Sequence, residues 1–211
     1  SEFEDLEERS DTDKKGKLYD TFTPLDQIGK KEYGTAAKGM QSKIVDISRQ
    51  VAKDKGLELG SVQMSVILAN AAAESDFVEG AIGDNGDSIG LFQINMKAHW
   101  KELGVGPLST QQDVVNVEQK LKDPKFNIEY MLTTVNGGAL NNKEFMAAKT
   151  FKEANRIFVE QIMIPKDQDK AKKLRLAYAN EFKDSLKKPV KLVSKKRTKG
   201  FAYRDDTTEV K

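Results

Sequence analysis

The segment from Ser61 to Glu74 constrains the fold of this chain more than any other, because it is apolar on most of its faces. Its aliphatic and small residues leave no broad polar stripe; they are Val62, Val66, Ile67, Ala69, Ala71, Ala72 and Ala73. A helix with this pattern is typical of an element buried inside a domain. The segment therefore predicts a core helix that ends in the carboxyl group of Glu74.

The position of Glu74 predicts an unusual proton affinity. Burial beside alanine and leucine disfavours the charged carboxylate, and the negative end of the helix dipole disfavours it further. Both effects raise the pKa of Glu74, so we expect a carboxyl group that can hold a proton near neutral pH. Such a group can act as a general acid.

The chain changes character after Phe77, where four glycines interrupt the apolar pattern at residues 80, 83, 86 and 90. Asp84-Asn85-Gly86 supplies the residues of a tight bend, so residues 81–93 are predicted to form a short hairpin or an irregular loop. At Gly90 the missing side chain allows a backbone or a ligand to approach closely.

Two motifs flank this loop and carry a resemblance to a known family. Glu-Ser-x-Phe at residues 74–77 and Gly-Leu-Phe-Gln-Ile-Asn at residues 90–95 resemble the active-site core of the lysozyme-like superfamily. The resemblance is especially to soluble lytic transglycosylases and to the lysozyme domains of phage tail proteins.

The resemblance extends over about residues 40 to 186. Asp123-Pro124-x-x-Asn127-Ile128 is similar to a segment of lytic transglycosylases that opens a helix beneath the cleft. The chain also resembles phage tail lysozymes in their closing helices, through the residues Ala154, Phe158, Pro165, Arg175, Tyr178 and Ala179.

The resemblance implies a set of site residues. Glu74 would be the general acid, whereas Gln93 and Asn95 would line the sugar cleft, and Ser75 would hold the loop or the acid. Two further candidates for binding sugar are Ser88 and Trp100. The ring of Trp100 could stack on a sugar face, although packing in the core explains this tryptophan equally well. The neighbouring His99 is more often structural in such a position.

The second carboxylate of the reaction is an open question in the sequence. Hen-type lysozymes carry it where this chain has Ser88, so Asp87 beside it is a secondary catalytic candidate, although turn residues are the commoner explanation for Asp84 and Asp87. A carboxylate can act as nucleophile or activate water, or the muramic acid 6-hydroxyl can attack its own anomeric carbon. The last route is that of lytic transglycosylases, whose usual tyrosine motif is missing here, so hydrolysis and transglycosylation both remain open.

Composition excludes several other chemistries. One histidine and no cysteine supply too few ligands for zinc, and they exclude a cysteine protease and make a serine triad hard to build. The acidic turns lack the oxygen ligands that a calcium loop requires. We therefore expect no metal and no cofactor.

The two ends of the chain carry opposite charge within a formal net charge of +2. Residues 1–13 are mainly acidic and residues 183–199 mainly basic, which is typical of linkers. We predict a charged extension or linker at residues 1–37, a catalytic domain at 38–186 and a basic tail or linker at 187–211. A basic tail can bind an anionic wall or nucleic acid, but its composition favours a solvated linker, so no nucleic-acid partner is expected.

Helical periodicity predicts helices at about residues 40–55, 61–74, 110–121, 124–135, 150–163 and 167–186, with breaks at Gly137-Gly138 and Pro165. The predicted fold is mainly α, of the α+β lysozyme-like kind, with a small β-hairpin beside a glycan-binding cleft. No apolar run is long enough to span a bilayer.

The predicted function is cleavage of the N-acetylmuramic acid–β-1,4–N-acetylglucosamine bond of peptidoglycan strands. Charged ends around such a domain suggest a module of a longer phage polypeptide, associated with other virion or tail proteins and acting in the periplasm or cell wall. The alternative is a glycan-binding or structural module of a virion or secretion assembly with little turnover.

Overall fold

The computed structural model describes residues 35–181. The predicted extension, apart from its last residues, and the predicted basic tail lie outside this range. Eight α-helices occur in the described residues: α1 Thr35–Asp54, α2 Ser61–Ser75, α3 Trp100–Leu103, α4 Gln111–Lys122, α5 Pro124–Thr133, α6 Lys143–Ala147, α7 Phe151–Ile157 and α8 Gln168–Glu181. Helix α7 continues into a π-helical turn, Phe158–Met163.

Helix α2 is the centre of the core, as its sequence predicts. Every residue from Ser61 to Ala72 is buried, and α1, α7 and α8 pack around the helix. Gln63 is the long polar side chain in this stretch, and its amide nitrogen donates to the carbonyls of Phe145 and Ala148, each at 2.9 Å. These bonds satisfy a group that would otherwise be costly to bury.

The chain after α2 forms a small three-stranded antiparallel sheet in the order β1-β2-β3. Its strands are Ile82–Gly83, Ser88–Ile89 and Ile94–Asn95. The first two are the predicted hairpin around Asp84-Asn85-Gly86, and the third strand adds to it. The fold is therefore mainly helical with a small β element, which confirms the predicted α+β class.

Asn127 fastens this sheet to the helices. Its side-chain nitrogen donates to the carbonyls of Ile89 at 3.0 Å and Leu121 at 2.8 Å, while its oxygen accepts from the backbone N–H of Phe92 at 3.0 Å. The asparagine is fully buried, so these three bonds have no competition from water. Gly90 lies directly against it.

The predicted helices are present with small shifts at their ends. Helix α1 begins at Thr35, earlier than predicted. The last predicted helix, at residues 167–186, is present over Gln168–Glu181, and the rest of its predicted range lies outside the described residues. Helices α3 and α6 were not predicted, because four or five residues are too few to show a helical period. Within residues 35–181 no helix is long and apolar enough to cross a bilayer.

Candidate active site

A cleft of about 690 Å³ lies between the end of α2, the small sheet and the segment that follows α7. The sheet contributes one wall, and the turn at Ile164 and Pro165 contributes another. Side chains from distant parts of the sequence provide its polar lining: Glu74, Asp84, Ser88, Gln93, Asn95, His99, Asn136, Lys166 and Arg175.

Glu74 reaches this cleft from the last turn of α2, just before the left-handed residue Asp76 ends the helix. Its side chain is 19% exposed. Burial raises the pKa of Glu74 above its ordinary value, the Arg175 guanidinium opposes that rise, and the negative charge of Asp84 adds to it. The net direction is upward, which favours a protonated carboxyl group.

Arg175 projects from α8 and forms an ion pair with Oε1 of Glu74 through its Nη2 group. The side chain is buried, and its Nε has no hydrogen-bond partner among the described residues. The guanidinium therefore fixes the position of the Glu74 carboxyl group while favouring its ionised form. In the sequence, Arg175 stands out only as part of the closing helices, because 101 positions separate it from Glu74.

Replacement of Arg175 by Gln should move the alkaline limb of the activity profile to higher pH. A general acid must carry its proton, so in the predicted role of Glu74 as general acid the activity falls as pH rises through its pKa. Removing the cation takes away the main influence that lowers this pKa. The pH dependence of kcat/KM on cell walls measures the shift. Arg175→Lys, which keeps the positive charge, should retain the wild-type limb, and an unmoved limb in Arg175→Gln would contradict this electrostatic role.

Asp84 lines the same cleft and is held by a chain of hydrogen bonds. The Ser88 hydroxyl donates to Oδ2 of Asp84 at 2.5 Å, and the Asn95 side-chain nitrogen donates to the Ser88 oxygen at 3.3 Å. Asn95 is itself oriented by the backbone N–H of Ala98, which donates to its side-chain oxygen at 3.0 Å. Ser88 and Asn95 are paired across β2 and β3, so the register of the sheet positions these hydrogen-bonded side chains.

Asp87, the predicted second carboxylate, lies elsewhere. Its Oδ2 pairs with the Lys97 ammonium group at 2.9 Å, and it does not belong to the cleft lining. Asp84 occupies the cleft because its left-handed backbone, with φ of 48°, begins the tight turn between β1 and β2. The sequence pattern favoured Asp87 as the secondary catalytic candidate, although both aspartates are typical turn residues and the pattern does not show which one lines the cleft.

Trp100 and His99 lie next to each other in the chain but have different surroundings. Trp100 is 43% exposed, lies outside the cleft lining and packs on Gly106, where a Cβ atom would be 3.0 Å from the indole. His99 lines the cleft, and its ring meets Tyr130 edge-on at a centroid distance of 6.3 Å. The structure thus brings His99, and not Trp100, to the cleft.

Gln93 lines the cleft and also closes the hairpin. Its side-chain nitrogen donates to the carbonyls of Ala81 at 3.1 Å and Gly90 at 3.0 Å. Ser75 is buried, and its hydroxyl donates to the carbonyl of Ala71 at 3.0 Å, so it faces the last turn of α2 and not the cleft.

The described residues include no cluster of three or more histidine, aspartate or glutamate side chains that could hold a metal ion. The polar groups that line the cleft are two carboxyl groups, one guanidinium, one ammonium group, one imidazole, three amides and one hydroxyl.

A buried helix that ends in a carboxyl group beside a small antiparallel sheet, within an otherwise helical domain, defines a lysozyme-like α+β protein. Residues 50–186 match the model of the phage tail lysozyme family, and the chain belongs to that family. No curated protein and no solved structure gives a significant match. The family supports a lysozyme-like function on peptidoglycan, in a virion that acts on the cell wall.

Proposed function

We propose that the protein hydrolyses the bond between N-acetylmuramic acid and N-acetylglucosamine in peptidoglycan strands, with Glu74 as the general acid. The observation that carries this proposal is that the carboxyl groups of Glu74 and Asp84 line one cleft. Burial raises the pKa of Glu74, whereas Asp84 accepts a hydrogen bond from Ser88. Glycosidases commonly use a pair of carboxyl groups that flank the scissile bond.

The protonated Glu74 would donate to the glycosidic oxygen as the bond to the anomeric carbon breaks. Substrate in the cleft displaces water from this carboxyl group, and the loss of solvent raises its pKa further. Arg175 keeps the group in position through the ion pair, and it stabilises the carboxylate that remains after the proton has left. After cleavage the same carboxylate can remove a proton from water.

Asp84 would stabilise the positive charge that develops at the anomeric carbon. Ser88 donates to one oxygen of its carboxyl group, which fixes the direction of that group. Gln93 and Asn95 would hold the sugar from the sheet side of the cleft, and Ser88 would act through Asp84. This assignment replaces Asp87, whose carboxylate pairs with Lys97, as the preferred second carboxylate.

Asp84→Asn should lower kcat on isolated cell walls by about 10²-fold to 10³-fold, because the developing charge loses its counter-charge. It should also move the alkaline limb of the profile to lower pH, since the charge of Asp84 raises the pKa of Glu74. The matched control is Asp87→Asn, which leaves the cleft lining intact and should change kcat less than about twofold. Loss of activity in the control alone would restore Asp87 as the second carboxylate.

The nature of the products tests the reaction type. Hydrolysis leaves a reducing N-acetylmuramic acid end, whereas internal attack by the 6-hydroxyl leaves a 1,6-anhydro end and needs one carboxyl group only. Full activity of Asp84→Asn together with anhydro ends would favour a lytic transglycosylase.

A second candidate is a glycan-binding or structural module of the virion with little turnover. The ion pair between Arg175 and Glu74 favours it, because this contact stabilises the ionised form of the acid in the absence of sugar. Purified protein incubated with isolated walls distinguishes the two functions. An enzyme releases soluble fragments, whereas a binding module sediments with walls that stay intact.

The setting would be the bacterial envelope, with the protein carried by the virion and acting in the periplasm or the cell wall. Its partners would be glycan strands and the other tail proteins around it. The family supports this setting.

A further inference from the structure

The wall of the cleft opposite the sheet contains a strained turn. After the π-helical residues Phe158–Met163 the chain turns at Ile164, which adopts the left-handed conformation with φ of 45° and ψ of 57°. A β-branched residue rarely adopts this conformation, and it persists only where the surroundings impose it. Backbone strain of this kind is concentrated at functional sites.

Two hydrogen bonds impose the conformation. The backbone N–H of Ile164 donates to the carbonyl of Val159 at 2.9 Å. The side chain of Asn136, itself a cleft residue with φ of 48°, donates to the carbonyl of Ile162 at 2.6 Å. The turn is therefore fastened to Asn136. Ile164, Pro165 and Lys166, which we call the wall segment, line the cleft.

The wall segment combines an apolar and a cationic side chain. Ile164 is 49% exposed, and Lys166 is exposed and forms no ion pair with any residue in the described range. The other cation of the cleft, Arg175, is paired with Glu74. Lys166 is thus the cleft cation that remains available to an anionic ligand.

The two sugars of peptidoglycan differ in a way that matches this pair of side chains. N-acetylglucosamine is neutral. N-acetylmuramic acid carries a lactyl ether with a methyl group and a carboxyl group, and in the wall this carboxyl group is joined to a peptide with carboxylates of its own. The methyl group can pack against the apolar side chain of Ile164, and a carboxylate can form an ion pair with the ammonium group of Lys166.

We propose that the wall segment binds the acidic lactyl substituent of muramic acid and makes the cleft prefer muramic acid over N-acetylglucosamine at that position. The inference rests on the proposed function, because it assumes that glycan occupies the cleft. It adds a specificity determinant that acts through substrate binding and not through the chemical step.

The test measures binding of three disaccharides that lack the scissile bond, so that it is independent of turnover. The probes are neutral diacetylchitobiose, N-acetylglucosaminyl-N-acetylmuramic acid with its free lactyl carboxylate, and the same disaccharide carrying an alanyl-glutamate peptide. Dissociation constants come from NMR titration at low salt. The second and third probes separate the lactyl carboxylate from the peptide carboxylates as the source of the charge.

The wild-type protein should bind an acidic disaccharide about threefold to tenfold more tightly than diacetylchitobiose, because one charged contact is added. Lys166→Gln should remove this preference and Lys166→Glu should reverse it, with the preference taken as the ratio of the two affinities of the same variant. Circular dichroism of each variant reports an intact fold. The control is Lys125→Gln, an exposed lysine of α5 outside the cleft lining, and it should keep the preference.

Equal affinities of the wild-type protein for neutral and acidic probes would overturn the inference, as would an unaltered preference in Lys166→Glu. Failure of the proposed function looks different, because it appears as intact cell walls after incubation whatever the order of these affinities.

Discussion

Glu74→Gln is expected to reduce kcat on isolated cell walls by about 10²-fold to 10⁴-fold, the contribution of a positioned general acid. The amide keeps the size of the side chain but has no proton to give to the glycosidic oxygen. Binding of glycan should change little, because the rest of the cleft is unaltered. Release of soluble fragments from walls, measured over a range of substrate concentrations, separates kcat from KM.

The matched control is Glu79→Gln, a glutamate five positions further on that is exposed and outside the cleft lining. It should retain wild-type activity. Circular dichroism and thermal unfolding of Glu74→Gln check that the unpaired Arg175 has not disrupted α8. Wild-type activity in a folded Glu74→Gln protein would refute the role of Glu74 as the acid.

Gly90→Ala is expected to lower the free energy of unfolding by more than about 3 kcal/mol, in the range of the most damaging single substitutions. Gly90 has φ of +84°, and a Cβ atom there would lie 2.2 Å from the carbonyl oxygen of Leu121 and 2.3 Å from the side-chain nitrogen of Asn127. The first of these contacts is with backbone, which cannot move aside cheaply. Urea unfolding followed by circular dichroism measures the loss.

Two other glycines separate the causes of this loss. Gly86 also has positive φ, at +97°, but a Cβ atom there would meet nothing within 4 Å. Gly86→Ala should therefore lower the free energy of unfolding by about 1–2 kcal/mol, the cost of the left-handed backbone conformation alone. At Gly80 φ is ordinary and the space is open, and Gly80→Ala should be nearly neutral. Similar losses at residues 86 and 90 would show that contact with Asn127 and Leu121 contributes little.

The helical part of the fold could be predicted because its signals are local. The apolar segment ending at Glu74 became a helix whose residues are buried from Ser61 to Ala72, and the glycine-rich loop became a hairpin. The short helices α3 and α6 could not be predicted, since their ends depend on contacts that form only in the folded chain. The π-helical turn and the left-handed Ile164 depend in the same way on Asn136.

In the candidate site too, residues from local motifs could be predicted and long-range contacts could not. Glu74, Gln93 and Asn95 belong to two neighbouring motifs, so a sequence pattern can propose them together. Arg175 reaches Glu74 from a helix 101 positions away, and nothing local indicates that contact. Its place one helical period after the buried Ala171 is the signal that could have identified it as an inward-facing arginine.

The choice between Asp84 and Asp87 could not be made from the sequence, because both aspartates suit the same turn. The side of the hairpin that each one faces depends on the register that pairs Gly83 with Ser88.

The most direct test of the central claim is digestion of isolated cell walls in water enriched in the heavy oxygen isotope, followed by mass analysis of the fragments. If Glu74 directs hydrolysis after N-acetylmuramic acid, each new end is a reducing N-acetylmuramic acid with one heavy oxygen, and Glu74→Gln releases none. New ends that are 1,6-anhydro and carry no heavy oxygen, or labelled ends formed equally by the variant, would contradict the claim.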